Sequence, residues 1–326
     1  MEQRTLGRTG LLVSRIGLGL AALGRPGYVN VGHGSDLRDG RDVASMERRA
    51  HQVLDAARAG GVTYFDAARS YGRAEEFLGS WLAARHIAPG ELSIGTKWGY
   101  TYTAGWRVDA EVHEVKDHSL ATLRRQWDET RAALDGHVAL LQVHSATVES
   151  GILDDRAVHR ALAELRERGD IRAIGLSLSG ARQAETLRRA HELEVDGRPL
   201  FDAVQATWNV LEPSVGERLA EVRADGMGVI VKEALANGRL VRGAEAASVA
   251  SEAERLGTTA DALALAAVLA QPWADVVLSG AVSVEQLATN LASASVRLDD
   301  EAWSVLNRLR QEPEAYWRER AALPWT

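Results

Sequence analysis

Cysteine is absent from the 326 residues, which excludes disulfides, thiolate zinc sites and a cysteine nucleophile. The nine histidines include no His-x-x-x-His pair, so the spacing that aims two imidazoles at one metal from a helix face is missing; no metal is expected. Basic residues are outnumbered, 38 Lys and Arg against 45 Asp and Glu, for a formal charge of −7. That balance argues against a nucleic-acid partner. No apolar run is long enough to cross a bilayer, and Met1-Glu2-Gln3-Arg4 lacks the apolar core of a signal segment. A cytoplasmic location without membrane contact is therefore expected. No Pro- or Ser-rich linker interrupts the chain, so residues 1–326 are expected to form one domain. The remainder, 46% hydrophobic and 25% charged, is ordinary globular composition.

What is present is a regular alternation. Short continuous apolar runs at 14–19, 62–66, 91–97, 138–144, 171–177, 201–206, 228–232 and 275–279 read as strands buried on both faces. Between them lie segments of helical period near 45–60, 73–86, 117–134, 155–168, 180–192, 214–225 and 259–270, with a further one at 283–293. Helix 117–134, for example, repeats Leu120, Leu123, Trp127, Thr130 and Leu134 along one face. Eight βα units predict a (β/α)8 TIM barrel. An N-terminal β-hairpin turning at Gly7-Arg8-Thr9-Gly10, an insertion near 243–256, an extra C-terminal helix near 299–311 and a tail complete the expected fold.

Gly17-Leu18-Gly19-Leu20-Ala21-Ala22 fits the dinucleotide pattern G-x-G-x-x-A. A phosphate-binding turn of that kind opens directly into a helix, whereas Gly24-Arg25-Pro26-Gly27 and a Gly/Asp-rich loop to Asp42 follow here. The Rossmann reading is rejected.

Three consecutive strands instead deliver ionisable groups at their carboxyl ends, where α/β proteins build active sites. The second ends in Asp66, with Tyr71 five positions on; the third runs into Lys97; the fourth runs into His144. Together these four side chains make a proton-donating site suited to carbonyl chemistry.

The same stretches carry a family resemblance. Gly61-Val62-Thr63-Tyr64-Phe65-Asp66-Ala67-Ala68 with Tyr71-Gly72, Gly95-Thr96-Lys97 and Leu141-Gln142-Val143-His144 resemble the aldo-keto reductases, and the likeness spans essentially the whole chain. Ile174-Gly175-Leu176-Ser177 and Ala203-Val204-Gln205 are similar to later strands of that family. Reduction of a carbonyl needs a hydride donor and an acid for the developing alkoxide. A tyrosine, with an ordinary pKa of about 10, can be that acid when a neighbouring ammonium stabilises its phenolate. Tyr71 is then the acid, Lys97 its tuner, Asp66 the anchor of Lys97, and His144 the group that orients the substrate oxygen.

The resemblance implies a nicotinamide cofactor. Ser177 and Gln205 match residues that hold the carboxamide, while Leu178 stands where the family has Asn. Lys232 replaces the family's stacking Tyr; its stem could pack on the ring, or its ammonium could contact a phosphate or pair with Glu233. Leu235, Gly238 and Arg239 are expected walls of the pyrophosphate channel. Gly280, Ser283, Gln286 and Asn290 match the adenosine-phosphate site, but Gly280 and Val282 stand where relatives place a cation for a 2′-phosphate. NADP(H) is expected narrowly ahead of NAD(H). Tyr28, Trp98, Tyr100 and Trp208 are expected to line an aromatic pocket for aryl, cyclic or sugar-like carbonyls. The implied function is an NAD(P)H-dependent oxidoreductase of aldehydes, ketones or sugars; the competing reading is a nicotinamide-binding regulatory barrel without turnover.

Overall fold

The computed structural model describes residues 1–37 and 40–326. Its strands are β1 (Ile16–Gly19), β2 (Tyr64–Asp66), β3 (Ser93–Trp98), β4 (Val138–Ala146), β5 (Ala173–Leu178), β6 (Ala203–Thr207), β7 (Gly228–Lys232) and β8 (Val276–Ser279). They close into a parallel barrel in sequence order, with β8 returning to pair with β1. Every residue of β2, β3 and β5 is buried, which explains why these strands read as unbroken apolar runs. Barrel interior and helical layer claim opposite faces of each strand.

The helices cover the outside. Leu120–Leu134 shows the local logic: the Ser119 side chain accepts from the Thr122 amide, and Asp135 in the left-handed region stops the helix. Leu123, Trp127, Thr130 and Leu134 are buried between those ends. Burial of a side chain such as Leu123 contributes roughly 1.5–3 kcal/mol.

The N-terminal hairpin, Gln3–Thr5 paired with Leu12–Ser14, plugs the amino end of the barrel. Leu6, Leu11 and Val13 pack there with Tyr64, Leu140 and Ile230. Gly7 is required at the tip: its φ is +47°, and a Cβ there would sit 2.2 Å from the Gly228 nitrogen. With that end closed, the accessible concavity is left to the carboxyl ends of the strands.

Gly17 and Gly19 lie on β1 itself, and turns follow rather than a helix, as the rejection of a dinucleotide turn requires. The Gly/Asp-rich loop to Asp42 includes residues 38 and 39, which lie outside the described residues. The insertion holds a helix, Ala246–Arg255, burying Val249 and Ala253. The expected C-terminal helix is Asp300–Asn307. The tail differs from expectation, because it contains another helix, Pro313–Ala321, opened by Pro in its first turn. Its two buried residues, Tyr316 and Trp317, are adjacent, so they form no helical stripe that periodicity could detect. Among the described residues no helix is long and apolar enough to cross a membrane.

Candidate active site

Asp66, at the end of β2, is the centre of the site. One carboxylate oxygen accepts from the buried Lys97 ammonium. The other accepts from Gln205 Nε2 at 2.9 Å, Gln142 Nε2 at 3.2 Å and the Tyr64 hydroxyl at 3.3 Å. Lys97 also donates to the Ala67 carbonyl at 2.9 Å. Burial pushes the Lys97 pKa below its ordinary value, and the charge of Asp66 opposes that shift. Gly95 makes the arrangement possible, since a Cβ there would meet the Tyr64 hydroxyl at 2.2 Å. Gln142 and Tyr64 escaped the sequence reading. Each lies two residues before a polar strand-end residue, His144 or Asp66, and the two-residue period of a strand puts such pairs on one face.

Tyr71 lies in the turn after β2. The Lys97 ammonium sits 4.7 Å from the centre of its ring, and the Arg25 guanidinium 5.2 Å from it. Arg25 is buried, donates to the Ser70 carbonyl at 3.0 Å and pairs with Glu114 at 2.9 Å. It also lies 5.2 Å from the Tyr28 ring centre and 4.7 Å from that of Trp325. Burial raises the Tyr71 pKa well above its usual value; the Asp66 charge adds to this, and Arg25 opposes it. The phenol is therefore held protonated at neutral pH.

His144 presents its ring edge-on to Tyr71, with centres 5.5 Å apart. Its Nδ1 lies 3.4 Å from the Ser70 hydroxyl. Burial, followed by the charges of Lys97, Arg25 and Lys232, drives its pKa well below the usual value, so the ring is neutral. The next residue, Ser145, has a φ of +50° at a break in the β4–β5 register. Its amide donates to Ser177 Oγ at 2.8 Å. Backbone held in that region costs of order 1–3 kcal/mol and persists only where surrounding contacts fix it.

These groups open on a cavity of about 460 Å³. Asp66, Tyr71, His144, Gln205 and Lys232 line one part of it; Ser279, Gly280, Val282, Gln286, Asn290 and Asp261 line another. Gly280 faces open space, for a Cβ there would meet nothing within 4 Å. Small residues, Gly19, Ala21, Ala22 and Gly238, lie along the wall. The loop after β1 roofs this cavity by reaching the loop after β7. Val31 N donates to Asn237 O at 2.9 Å, Asn237 Nδ2 to Val29 O at 2.8 Å, and Arg242 pairs with Asp36 at 2.7 Å. The tail closes the other side, where Tyr28 and Thr326 exchange backbone hydrogen bonds and Trp325 stacks on His113.

Lys232 ends β7 in register with Thr207 on β6 and donates to its hydroxyl at 2.6 Å. Thr207 in turn donates to Glu233 at 3.1 Å. Glu233, with a φ of +57°, holds Arg320 from the tail helix through both oxygens. Arg320 and Lys232 keep the buried Glu233 carboxyl at about 2, while desolvation lowers the Lys232 pKa to about 8.

Several residues expected at the site are placed elsewhere. Trp98 is buried against His118 rather than in the cavity wall, and Trp208 packs edge-on to Trp273. Tyr100 is absent from the wall but lies 5.0 Å from the His144 ring centre. Ser177 Oγ accepts from the Ser145 amide. Arg239 pairs with Glu245 and Glu319, and Ser283 caps the helix Val284–Ala292. Tyr28, Leu235, Gly238, Gly280, Gln286 and Asn290 do face the cavity. The walls are thus less aromatic than the sequence suggests. Arg25 and Arg320 were missed, because a loop and a distant tail helix bring them in.

A sequential, closed (β/α)8 barrel with a Tyr–Lys–Asp–His cluster at its carboxyl end is the architecture of a barrel oxidoreductase. The model of the Aldo/keto reductase family matches residues 15–311, and the chain belongs to that family, whose members use nicotinamide cofactors. Among curated relatives, the aldo-keto reductase str7 of Strobilurus tenacellus is 25% identical, over 96% of this chain and 93% of that protein. Pyridoxal 4-dehydrogenase of Microbacterium luteolum is 28% identical, over 94% and 96%. L-galactose dehydrogenase of Arabidopsis thaliana is 28% identical, over 95% and 94%. Among solved structures, a putative aldo-keto reductase from Pseudomonas aeruginosa superposes with a TM-score of 0.66 at 27% identity, covering 92% of this chain and 95% of that one. An aldo-keto reductase from Bacillus halodurans shares the fold at a TM-score of 0.71 and 22% identity, covering 96% and 97%.

Proposed function

We propose that the protein interconverts a carbonyl and its alcohol, with Tyr71 as the general acid that protonates the carbonyl oxygen during reduction. The observation that carries this reading is the convergence on one cavity wall of a protonated Tyr71 and a neutral His144, with the Lys97–Asp66 pair behind them. A phenol serves as a proton donor only while protonated, and burial keeps it so until it is used. A Ser70 hydroxyl that donates into Nδ1, 3.4 Å away, leaves the His144 proton on Nε2, where it is available to a substrate oxygen. Lys97 then offsets the negative charge that remains on Tyr71 after proton transfer.

The residues present fit a nicotinamide dinucleotide. One continuous cavity joins the proton-donating groups to an open wall at Gly280, Gln286 and Asn290. When bound, that cofactor supplies the hydride that reduces the carbonyl carbon. Gln205, already donating to Asp66, faces the same cavity and supports a carboxamide contact through its remaining acceptor and donor capacity. Among the described residues, the wall of Gly280, Val282, Gln286 and Asn290 adds the carboxylate of Asp261, and Arg242, which also lines the cavity, is paired with Asp36. A 2′-phosphate meets repulsion there and a ribose hydroxyl finds an acceptor, which supports NAD(H) over the sequence-based order that put NADP(H) first. Relatives named as dehydrogenases of pyridoxal and L-galactose support a polar small-molecule substrate.

Tyr71→Phe tests the reading. It removes one hydroxyl and is expected to lower turnover at least a hundredfold while leaving NADH binding, followed by Trp fluorescence, within twofold. Retained turnover would overturn the assignment of the acid.

A further inference from the structure

Around the proton-donating part of the cavity, three ion pairs close on themselves: Asp66 with Lys97, Glu114 with Arg25, and Glu233 with Arg320. Among the described residues, one cation of this group has no carboxylate within hydrogen-bond reach. Lys232 lines the same cavity, and its side chain is 15% exposed. Of its three N–H donors, one goes to the neutral hydroxyl of Thr207. The nearest carboxylate oxygen, on Glu233, is 3.8 Å away, beyond hydrogen-bond reach, and Arg320 already occupies both Glu233 oxygens. Thr207 is also spent, since it accepts from Lys232 and donates to Glu233. An ammonium on a half-dry wall with donors to spare, whose one nearby carboxylate stands 3.8 Å off and is already held by Arg320, is a binding point for an oxyanion.

The place of Lys232 narrows the choice of anion. The lysine is bonded to Thr207, two residues along the same strand from Gln205, which donates to Asp66. It thus belongs to the part of the cavity where the carbonyl reacts, and the wall at Gly280 and Asp261 is built from other elements.

We propose that Lys232 recognises a carboxylate-type anionic group on the substrate, so that the protein acts on carbonyl compounds that also carry a negative charge. The inference rests on the reaction proposed above and names its substrate class. Tyr71 and His144 address the carbonyl, and Lys232 fixes the other end of the same molecule. The lysine touches no reacting atom; it sets which molecules are held in register with the proton donor.

The test compares 3- and 4-carboxybenzaldehyde with their methyl esters, which match them in shape but not in charge. The native protein is expected to favour at least one acid over its ester by tenfold or more in kcat/KM. Lys232→Met should collapse that ratio to about one, and Lys232→Arg should restore part of it. A native ratio near one, or a ratio that survives in Lys232→Met, overturns the proposal. Benzoate and benzamide binding to the protein–NADH complex, read by Trp fluorescence, needs no turnover. Preference for benzoate that is lost in Lys232→Met supports the proposal even if no aldehyde is reduced, in which case only the reaction assignment fails. Equal binding of the two overturns it. NADH affinity is titrated alongside: if Lys232→Met weakens NADH more than tenfold while the acid-to-ester ratio stands, the lysine serves a cofactor phosphate and the proposal is overturned.

Discussion

The Lys97 ammonium faces the ring of Tyr71 from 4.7 Å while its hydrogen bonds go to Asp66 and the Ala67 carbonyl. The lysine is thus fixed by groups other than the phenol it faces. Its charge is in place before any proton moves, which is the condition for electrostatic stabilisation without reorganisation. Lys97→Met is expected to reduce turnover by about 10² to 10⁴-fold. It also strands a buried carboxylate, at a cost of about 3–5 kcal/mol in stability. The double variant Asp66→Asn/Lys97→Met separates the two effects. Chemical denaturation should show stability largely recovered, and steady-state kinetics should show turnover still lost.

Arg25 is a second cation over Tyr71, tied to the adjoining Ser70 carbonyl. It counters the burial and the Asp66 charge that keep the phenol protonated. Arg25→Gln should therefore raise the Tyr71 pKa further. In the proposed reaction the Tyr71 phenolate is the base for alcohol oxidation, which should then fall at least tenfold at pH 9, while carbonyl reduction at pH 7 falls less. Paired pH–rate profiles check this. Equal losses in both directions would assign Arg25 a purely structural role.

Asp261 places a carboxylate on the wall shared with Gly280 and Asn290, where it accepts from Thr289 at 2.5 Å. Asp261→Asn keeps the shape and removes the charge. NADPH affinity should rise at least threefold relative to NADH, as measured by fluorescence titration of both cofactors against both proteins. An unchanged ratio would mean that the 2′ position lies elsewhere.

The acid-to-ester preference assigned to Lys232 should depend on pH. Its pKa is about 8, lowered mainly by desolvation, with Arg320 and Lys97 lowering it and Glu233 and Asp66 raising it. The ammonium is present below that value and is lost as pH rises through it. His144, also facing the cavity, is neutral over this range and adds no charge of its own. The preference should be full at pH 6.5 and fall several-fold by pH 9.5, with the ester rate as the internal reference.

The barrel was legible because its strands are short apolar runs, and three of them carry an ionisable residue at or near the carboxyl end. Asp66, Lys97 and His144 could be read that way, and Gln142 and Tyr64 follow from the same two-residue period. That period also corrects the aromatic pocket. Trp98 follows Lys97 and Trp208 follows Thr207, so each indole lies on the face opposite its inward neighbour. Arg25, Asp261 and Arg320 were not legible. Their positions depend on how a loop, a helix start and a tail helix return over the barrel, and nothing periodic in the sequence records that path.

Of the 38 basic residues only Lys97, Lys116 and Lys232 are lysines. Lys97 is sealed by Asp66, and Lys116 donates to the Ser145 carbonyl at the surface. Apart from the amino terminus, amine-directed reagents therefore meet two primary amines, of which Lys232 has the more depressed pKa and opens on the cavity. Acylation at residue 232, counted by mass spectrometry of the intact chain, becomes a gauge of whether that cavity is filled, with no substrate turnover needed.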